Sequence, residues 1–183
     1  NSYPGITNKI LSRFAKKIFV AYDNLNLFFN PSKIVLTGNP VRKDISANLP
    51  LKSEAVKFFN LSEDKKTILI IGGSLGAKTI NEAIENSLDL FAENNIQVLW
   101  QTGKGYYDGI IERTKNRTIA HVKILQFIRE MNMAYSAADI IISRAGALSI
   151  SELCIVGKPV VLIPSPNVSE DHQTKNAMAL VNK

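Results

Sequence analysis

A chain of 183 residues with 45% hydrophobic and 21% charged content, and a mean hydropathy near zero, has the composition of a globular protein with a substantial core. Its apolar runs, such as 67–71 and 140–142, are too short for a membrane-spanning helix, the polar opening is not a secretory signal, and one cysteine excludes an internal disulfide, in keeping with a reducing cytoplasm. The formal charge of +6 favours anionic partners, but the basic residues are spread without aromatic interleaving, which argues against nucleic acid.

In chain order, Pro4 and Gly5 mark a turn, and Thr7 and Asn8 can cap a helix. That helix places Ile10, Leu11, Phe14, Ala15 and Ile18 on one side and Lys9, Arg13, Lys16 and Lys17 on the other. A basic amphipathic helix suits packing on a sheet with a solvated face, or contact with an anionic membrane surface. Residues 19–22 and 34–37 read as short strands. Gly38, Asn39 and Pro40 end that unit, which predicts a domain boundary near residue 40 followed by a polar link.

From residue 66 the pattern becomes regular. A buried strand over 67–71 runs into a glycine loop, 72–76, and a helix carrying Ile80, Ala83, Ile84, Ser87, Leu88 and Phe91. Strands follow over 97–100 and 119–127, separated by a helix over 106–116 and followed by one over 130–138. Residues 140–142 form a fourth strand, 147–156 a helix, 160–163 a fifth strand and 171–181 a last helix. Five strands alternating with helices predict an α/β fold, a Rossmann-like, doubly wound parallel sheet. Ligands of such a sheet bind beyond the carboxyl ends of the strands, where strand order reverses. That rule collects the loops 72–76 and 144–148.

The second of these loops opens a helix directly behind Gly146, and free amides at a helix start favour a phosphate. Glu152 follows within the first turns. A carboxylate so close to a phosphate is better turned toward uncharged groups such as ribose hydroxyls. The same letters, Ser149 to Glu152, also read as a capping box that ties off a helix end. A nicotinamide cofactor is disfavoured: GGSLG over 72–76 is not G-x-G-x-x-G, and the second strand ends at Trp100 and Gln101 without a carboxylate. No Gly-Lys-Ser/Thr completes a Walker loop.

Five segments together resemble a known family. GGSLGA over 72–77, QFIREM over 126–131, SRAGALSISE over 143–152, GNPVR over 38–42 and NSYPGITN over 1–8 together, and in the right order along the chain, are similar to motifs of the MurG-type glycosyltransferases of bacterial cell-wall synthesis. The resemblance implies the GT-B arrangement, two Rossmann-like domains facing across a cleft. Residues 1–40 would be the end of the acceptor-side domain and the link. Residues 41–183 would be the UDP-sugar-binding domain, stopping before the family's final helices. It also implies an inverting, metal- and cofactor-free transfer of N-acetylglucosamine from UDP-N-acetylglucosamine. The acceptor would be undecaprenyl-pyrophosphoryl-N-acetylmuramyl-pentapeptide, and the enzyme a peripheral one on the cytoplasmic face of the bacterial inner membrane, against an anionic surface.

By that resemblance the amides of Ala147, Leu148 and Ser149 hold the diphosphate, with Ile150 and Ser151 continuing the segment, and Glu152 binds the ribose. The backbone of Ile128 reads the uracil edge, Arg42 reaches the phosphates and Ser74 lies beside them. Gln173, within DHQTKN over 171–176, contacts the sugar, and Asn1 approaches the donor; His172 and Asn176 are nearby candidates. Read without the resemblance, Arg42 is a solvated link charge, Ser74 a helix cap and Ile128 core. Cys154 reads as a packed small hydrophobe, and His121 and His172 are too isolated for a metal site. No matched residue supplies the base that deprotonates the attacking hydroxyl, so the base is expected in the first domain, which this chain lacks, and the chain alone is expected to transfer nothing. Another UDP-sugar-using GT-B enzyme, such as a different transferase or an epimerase, and a non-catalytic nucleotide-binding module are the alternatives.

Overall fold

The computed structural model describes residues 4–46, 48–117, 119, 121–166 and 171–181. The elements are α1 (Ile6–Leu11), β1 (Ile18–Val20), β2 (Ile34–Leu36), α2 (Lys43–Ser46), α3 (Lys52–Phe58), β3 (Thr67–Ile71), α4 (Lys78–Asn86), α5 (Leu88–Glu93) and β4 (Gln97–Gln101). They continue with α6 (Tyr107–Thr114), β5 (Val122–Leu125), α7 (Met131–Ala137), β6 (Ile140–Ser143), α8 (Ala147–Val156), β7 (Val160–Leu162) and α9 (His172–Val181). Two compact units result. The smaller holds the described residues of Asn1–Val41, Ala145–Ser151 and Pro164–Lys183; the larger holds those of Arg42–Arg144 and Glu152–Ile163.

In the smaller unit β1 and β2 pair in parallel, Ile18 beside Ile34 and Val20 beside Leu36. Val20, Leu25 and Phe29 form their buried cluster. The helix expected to run on to Ile18 stops at Leu11. Its end is satisfied by side chains: the Ser12 hydroxyl donates to the Lys9 carbonyl (2.7 Å), and Lys33 Nζ, from far along the chain, donates to the carbonyls of Ser12 (3.3 Å) and Arg13 (3.0 Å). A cation at the last carbonyls closes a helix, and the ladder claims Ile18. None of α1 is buried, and Phe14 just beyond it is 81% exposed, so the packed amphipathic helix is not what forms.

In the larger unit all five strands are parallel, in the order β5-β4-β3-β6-β7. Order therefore reverses at β3 and β6, where the sequence rule put it. The central strands β3 and β4 are buried along their length, as strands covered on both faces are. Ile70, Val98 and Trp100 pack with Ile80, Ile84 and Leu88 of α4 and α5 and with Ile110 of α6. Elsewhere in the unit α7 packs on β3, and α3 on α7.

Two departures have local causes. The helix expected across Ile80 to Phe91 breaks into α4 and α5 at Ser87, whose hydroxyl takes the Ala83 carbonyl at 2.8 Å. The supposed polar link contains α2 and α3. Charged Lys52, Glu54 and Lys57 of α3 disguised an apolar side formed by Ala55 and Val56, with Phe59 beyond it, all buried.

Asp139 joins three of these elements. Its carboxylate accepts Lys52 Nζ from α3 (2.7 and 2.8 Å) and the Thr67 amide of β3 (2.9 Å), just ahead of β6. Burial pushes its pKa up, but the Lys52 and Thr67 hydrogen bonds, with Lys66 nearby, outweigh it and hold the carboxyl below its usual value. A lowered folded-state pKa gives stability that is complete above the unfolded value and drains away as pH falls through the folded one. Asp139→Asn should thus cost about 1–3 kcal/mol at pH 7 by urea unfolding. The gap to the parent should close below about pH 4; a cost that stays constant down to pH 3 would contradict the ion-pair account.

Candidate functional site

At the carboxyl edge of the larger unit, the loops after β3 and β4 meet backbone to backbone. Gly76 (φ +83°) has no room for a Cβ, which would stand 2.1 Å from the Thr102 carbonyl oxygen; a Cβ on Gly103 (φ +84°) would stand 2.2 Å from the Gly76 nitrogen. Glycine is required at both by conformation and by space. The contact is stitched by Asn81, whose Nδ2 donates to the Thr102 carbonyl (2.8 Å) while its Oδ1 accepts from Trp100 Nε1 (3.0 Å). Ser74 is exposed on this loop and does not cap α4, whose N-cap is Ala77.

Gln101, 4% exposed at the end of β4, ties two loops together. Its Nε2 donates to the Gly73 carbonyl (3.1 Å) and its Oε1 accepts the Ile128 amide (2.8 Å). The Ile128 side chain is core. With its amide taken up by Gln101, the backbone group it offers beyond the strands is the carbonyl. Arg144, after β6, donates to the Ile163 carbonyl (3.2 Å) and to Thr79 Oγ1 (3.1 Å) at the start of α4. Burial lowers its pKa from the usual guanidinium value.

Glu152 is 8% exposed, and its two oxygens face different partners. Oε1 accepts Arg42 Nε (3.2 Å) and Oε2 accepts the Tyr135 hydroxyl (3.0 Å). The capping-box alternative fails here, because the amide of Ile150 bonds to the Gly146 carbonyl (2.9 Å), making Ser149 the third residue of α8 rather than its cap. Glu152 stands away from its own helix start. Tyr135, buried on α7, has its phenol pKa pushed well above the ordinary value, by burial first and then by the Glu152 charge, so it remains a donor. Arg42 keeps a side chain 41% exposed. The cation expected at phosphate and the anion expected at ribose thus satisfy each other here.

In the smaller unit the amides of Ala147, Leu148 and Ser149 precede the first amide that donates within the helix, that of Ile150 to the Gly146 carbonyl, as at any helix start. Asn39, of the Gly-Asn-Pro segment, holds this turn: its Nδ2 donates to Ser151 Oγ (2.8 Å) and to the Ala147 carbonyl (3.2 Å). The Ser151 hydroxyl in turn donates to the Ala147 carbonyl (3.1 Å), so it is occupied, and Ile150 is buried. Gln173 lies in the first turn of α9 with its Oε1 accepting the Ser165 amide (2.9 Å). Asn176 is buried; its Nδ2 reaches the Ala145 carbonyl (3.3 Å) and its Oδ1 has no hydrogen-bond partner among the described residues. His172 heads α9. Asn1 lies outside the described residues. A cavity of about 710 Å³ in this unit, lined by Leu11, Phe19, Asn39 and Pro40 among others, is lined by none of the donor-site residues named from the sequence.

Sequence reasoning singled out neither Tyr135, Gln101 nor Asn39 in a site role. Gln101 carried a signal: a polar residue closing a buried apolar strand must find partners. Cys154, expected to pack, is exposed. Among the described residues no group of three or more His, Cys, Asp or Glu side chains is placed to hold a metal ion.

Comparison with known proteins gives a consistent picture. The model of the glycosyltransferase family 28 C-terminal domain matches residues 67–183. The UDP-N-acetylglucosamine--N-acetylmuramyl-(pentapeptide) pyrophosphoryl-undecaprenol N-acetylglucosamine transferase of Parabacteroides distasonis is 58% identical, over 100% of this chain and 50% of its own length. The transferase of the same name from Flavobacterium psychrophilum is 55% identical, over 100% of this chain and 49% of its own. Among solved structures, Acinetobacter baumannii MurG superposes with a TM-score of 0.66 at 31% identity, covering 100% of this chain and 49% of that one. A Rickettsia africae glycosyltransferase, 15% identical with a TM-score of 0.57, shares the fold. The chain spans about half the length of the curated relatives it matches.

The loop contact is open to direct measurement. Gly76→Ala should cost about 2–4 kcal/mol in chemical denaturation. Gly73→Ala, at an equally positive φ but with nothing within 4 Å of the added Cβ, should cost about 1 kcal/mol. Equal costs would mean that the two loops do not press together.

Proposed function

The chain belongs to glycosyltransferase family 28, through that family's C-terminal domain, and from this we propose that it is the donor-binding part of an inverting N-acetylglucosaminyltransferase. The donor is UDP-N-acetylglucosamine and the acceptor the undecaprenyl-pyrophosphoryl-N-acetylmuramyl-pentapeptide, the substrates in the names of its relatives. Residues 1–40 belong to the acceptor-side domain and residues 41–183 to the donor-side domain in this reading. No metal or other cofactor takes part.

One observation carries the reading. Glu152, buried beyond the first turn of α8, turns its carboxylate away from its own helix and onto Tyr135 and Arg42. A buried carboxylate with lone pairs left over suits neutral hydroxyls, and a ribose offers two side by side. On the smaller unit, the amides of Ala147, Leu148 and Ser149 would hold the diphosphate by helix-start electrostatics, and Gln173 the sugar. On the larger unit, Arg42 would turn from Glu152 to the phosphates, Ser74 would lie beside them, and the Ile128 carbonyl would accept the uracil N3–H. Positive charge beside the departing diphosphate, to offset the negative charge it develops, is what an inverting displacement needs from this side. No base is assigned within the chain.

The anionic inner leaflet is the proposed surface for the whole enzyme. Supporting it, α1 and its continuation expose Ile6, Ile10, Leu11 and Phe14 beside Lys9 and Arg13, the composition of a helix that rests in a lipid interface. No helix among the described residues is long and apolar enough to cross a membrane.

Calorimetry with UDP tests the donor site. Glu152→Ala removes charge-assisted hydrogen bonds of about 1.5–3 kcal/mol, so affinity should fall roughly ten- to a hundredfold. Undiminished affinity would remove Glu152 from the site. For the surface, the chain should sediment with vesicles containing phosphatidylglycerol and do so less when Lys16 and Lys17 are both replaced by Glu. Identical sedimentation of the two would refute membrane contact through this segment.

A further inference from the structure

The hydroxyl of Tyr135 is directed at the one carboxylate on which the proposed donor site turns. We propose that Tyr135 is a positioning residue for ribose recognition: its hydroxyl fixes Glu152 so that the remaining lone pairs of the carboxylate face the two vicinal hydroxyls of a nucleoside diphosphate. The inference rests on Glu152 being the ribose ligand and deepens that reading.

The geometry supports this in three ways. A carboxylate has about four lone-pair sites. Tyr135 occupies one on Oε2 at 3.0 Å and Arg42 one on Oε1 at 3.2 Å, which leaves two, one on each oxygen. The two partners also differ in rigidity. Tyr135 is 1% exposed, on a helix flanked by α3 and β3, whereas the Arg42 side chain is 41% exposed on a long flexible stem. Arg42 can leave for a phosphate when one arrives; Tyr135 cannot follow, so it alone keeps the carboxylate plane constant between the empty and occupied states. Finally, a phenol carries a single proton and this one stays on the oxygen, so toward a carboxylate Tyr135 acts as the donor. Binding residues that are held by a buried neighbour lose less freedom when the ligand arrives.

Tyr135→Phe keeps the ring and removes the donor. Affinities for UDP and for 2′,3′-dideoxy-UDP should be measured by calorimetry on the parent chain, Tyr135→Phe and Glu152→Ala, with thermal melting as a separate record of folding. The parent should prefer UDP. Tyr135→Phe should weaken UDP about three- to tenfold while leaving the dideoxy compound within about twofold, so that the preference shrinks. A purely structural role would lower the melting temperature and weaken both ligands alike; an unchanged preference in Tyr135→Phe, beside a lost preference in Glu152→Ala, overturns the inference and leaves the Glu152 assignment standing. A parent chain that does not distinguish the two nucleotides refutes the Glu152 assignment and this inference with it.

Discussion

A polar group taken out of water must find a partner, and in this protein that constraint is concentrated at the carboxyl edge of one parallel sheet. The central strands β3 and β4 of that sheet are covered on both faces, so their apolar side chains need nothing beyond packing. Their ends are different. Gln101, Asn81 and Glu152 are all buried there, and each is satisfied by groups from another part of the chain: Gly73 and Ile128, Trp100 and Thr102, Arg42 and Tyr135. Because Gly73, Ile128, Thr102 and Arg42 lie between helices and strands, satisfying the buried groups also fixes these connections. The edge is therefore organised before any ligand arrives, which reduces what binding must order.

The pairing of Arg42 with Glu152 follows the same logic with charge added. An ionised carboxylate that is 8% exposed would be strongly destabilising alone, and a guanidinium with one neutral donor beside it makes the burial tolerable. Arg42 itself remains accessible, so the pair is stable without being permanent.

The smaller unit shows the constraint relaxed. Its two-stranded sheet covers a core of Val20, Leu25 and Phe29, while α1 leaves Ile6, Ile10 and Leu11 to the outside. The amphipathic spacing was real, but the helix was shorter than the spacing suggested. Lys33, distant in sequence, closes the end of that segment, and β1 needs Ile18 for pairing. Likewise α3 hid within a charged stretch because only Ala55, Val56 and Phe59 reveal its buried side. Short elements give a period too few repeats to be read.

What the letters alone determined was whatever depends on near neighbours. Continuous apolar runs at 67–71 and 140–142, glycines at 72–76 and the helix start behind Gly146 were enough for a parallel α/β sheet and for the loops at its reversal point, because strand length, turn chemistry and helix starts are local properties. The motif order was enough for the family. Only the tertiary structure decided how these groups meet. Tyr135 reaches Glu152 across 17 residues, Gln101 reaches Ile128 across 27 and Arg42 reaches Glu152 across 110. No spacing rule brings such residues together; strand order and helix packing do, and those are set by the burial of the whole chain rather than by any stretch of it.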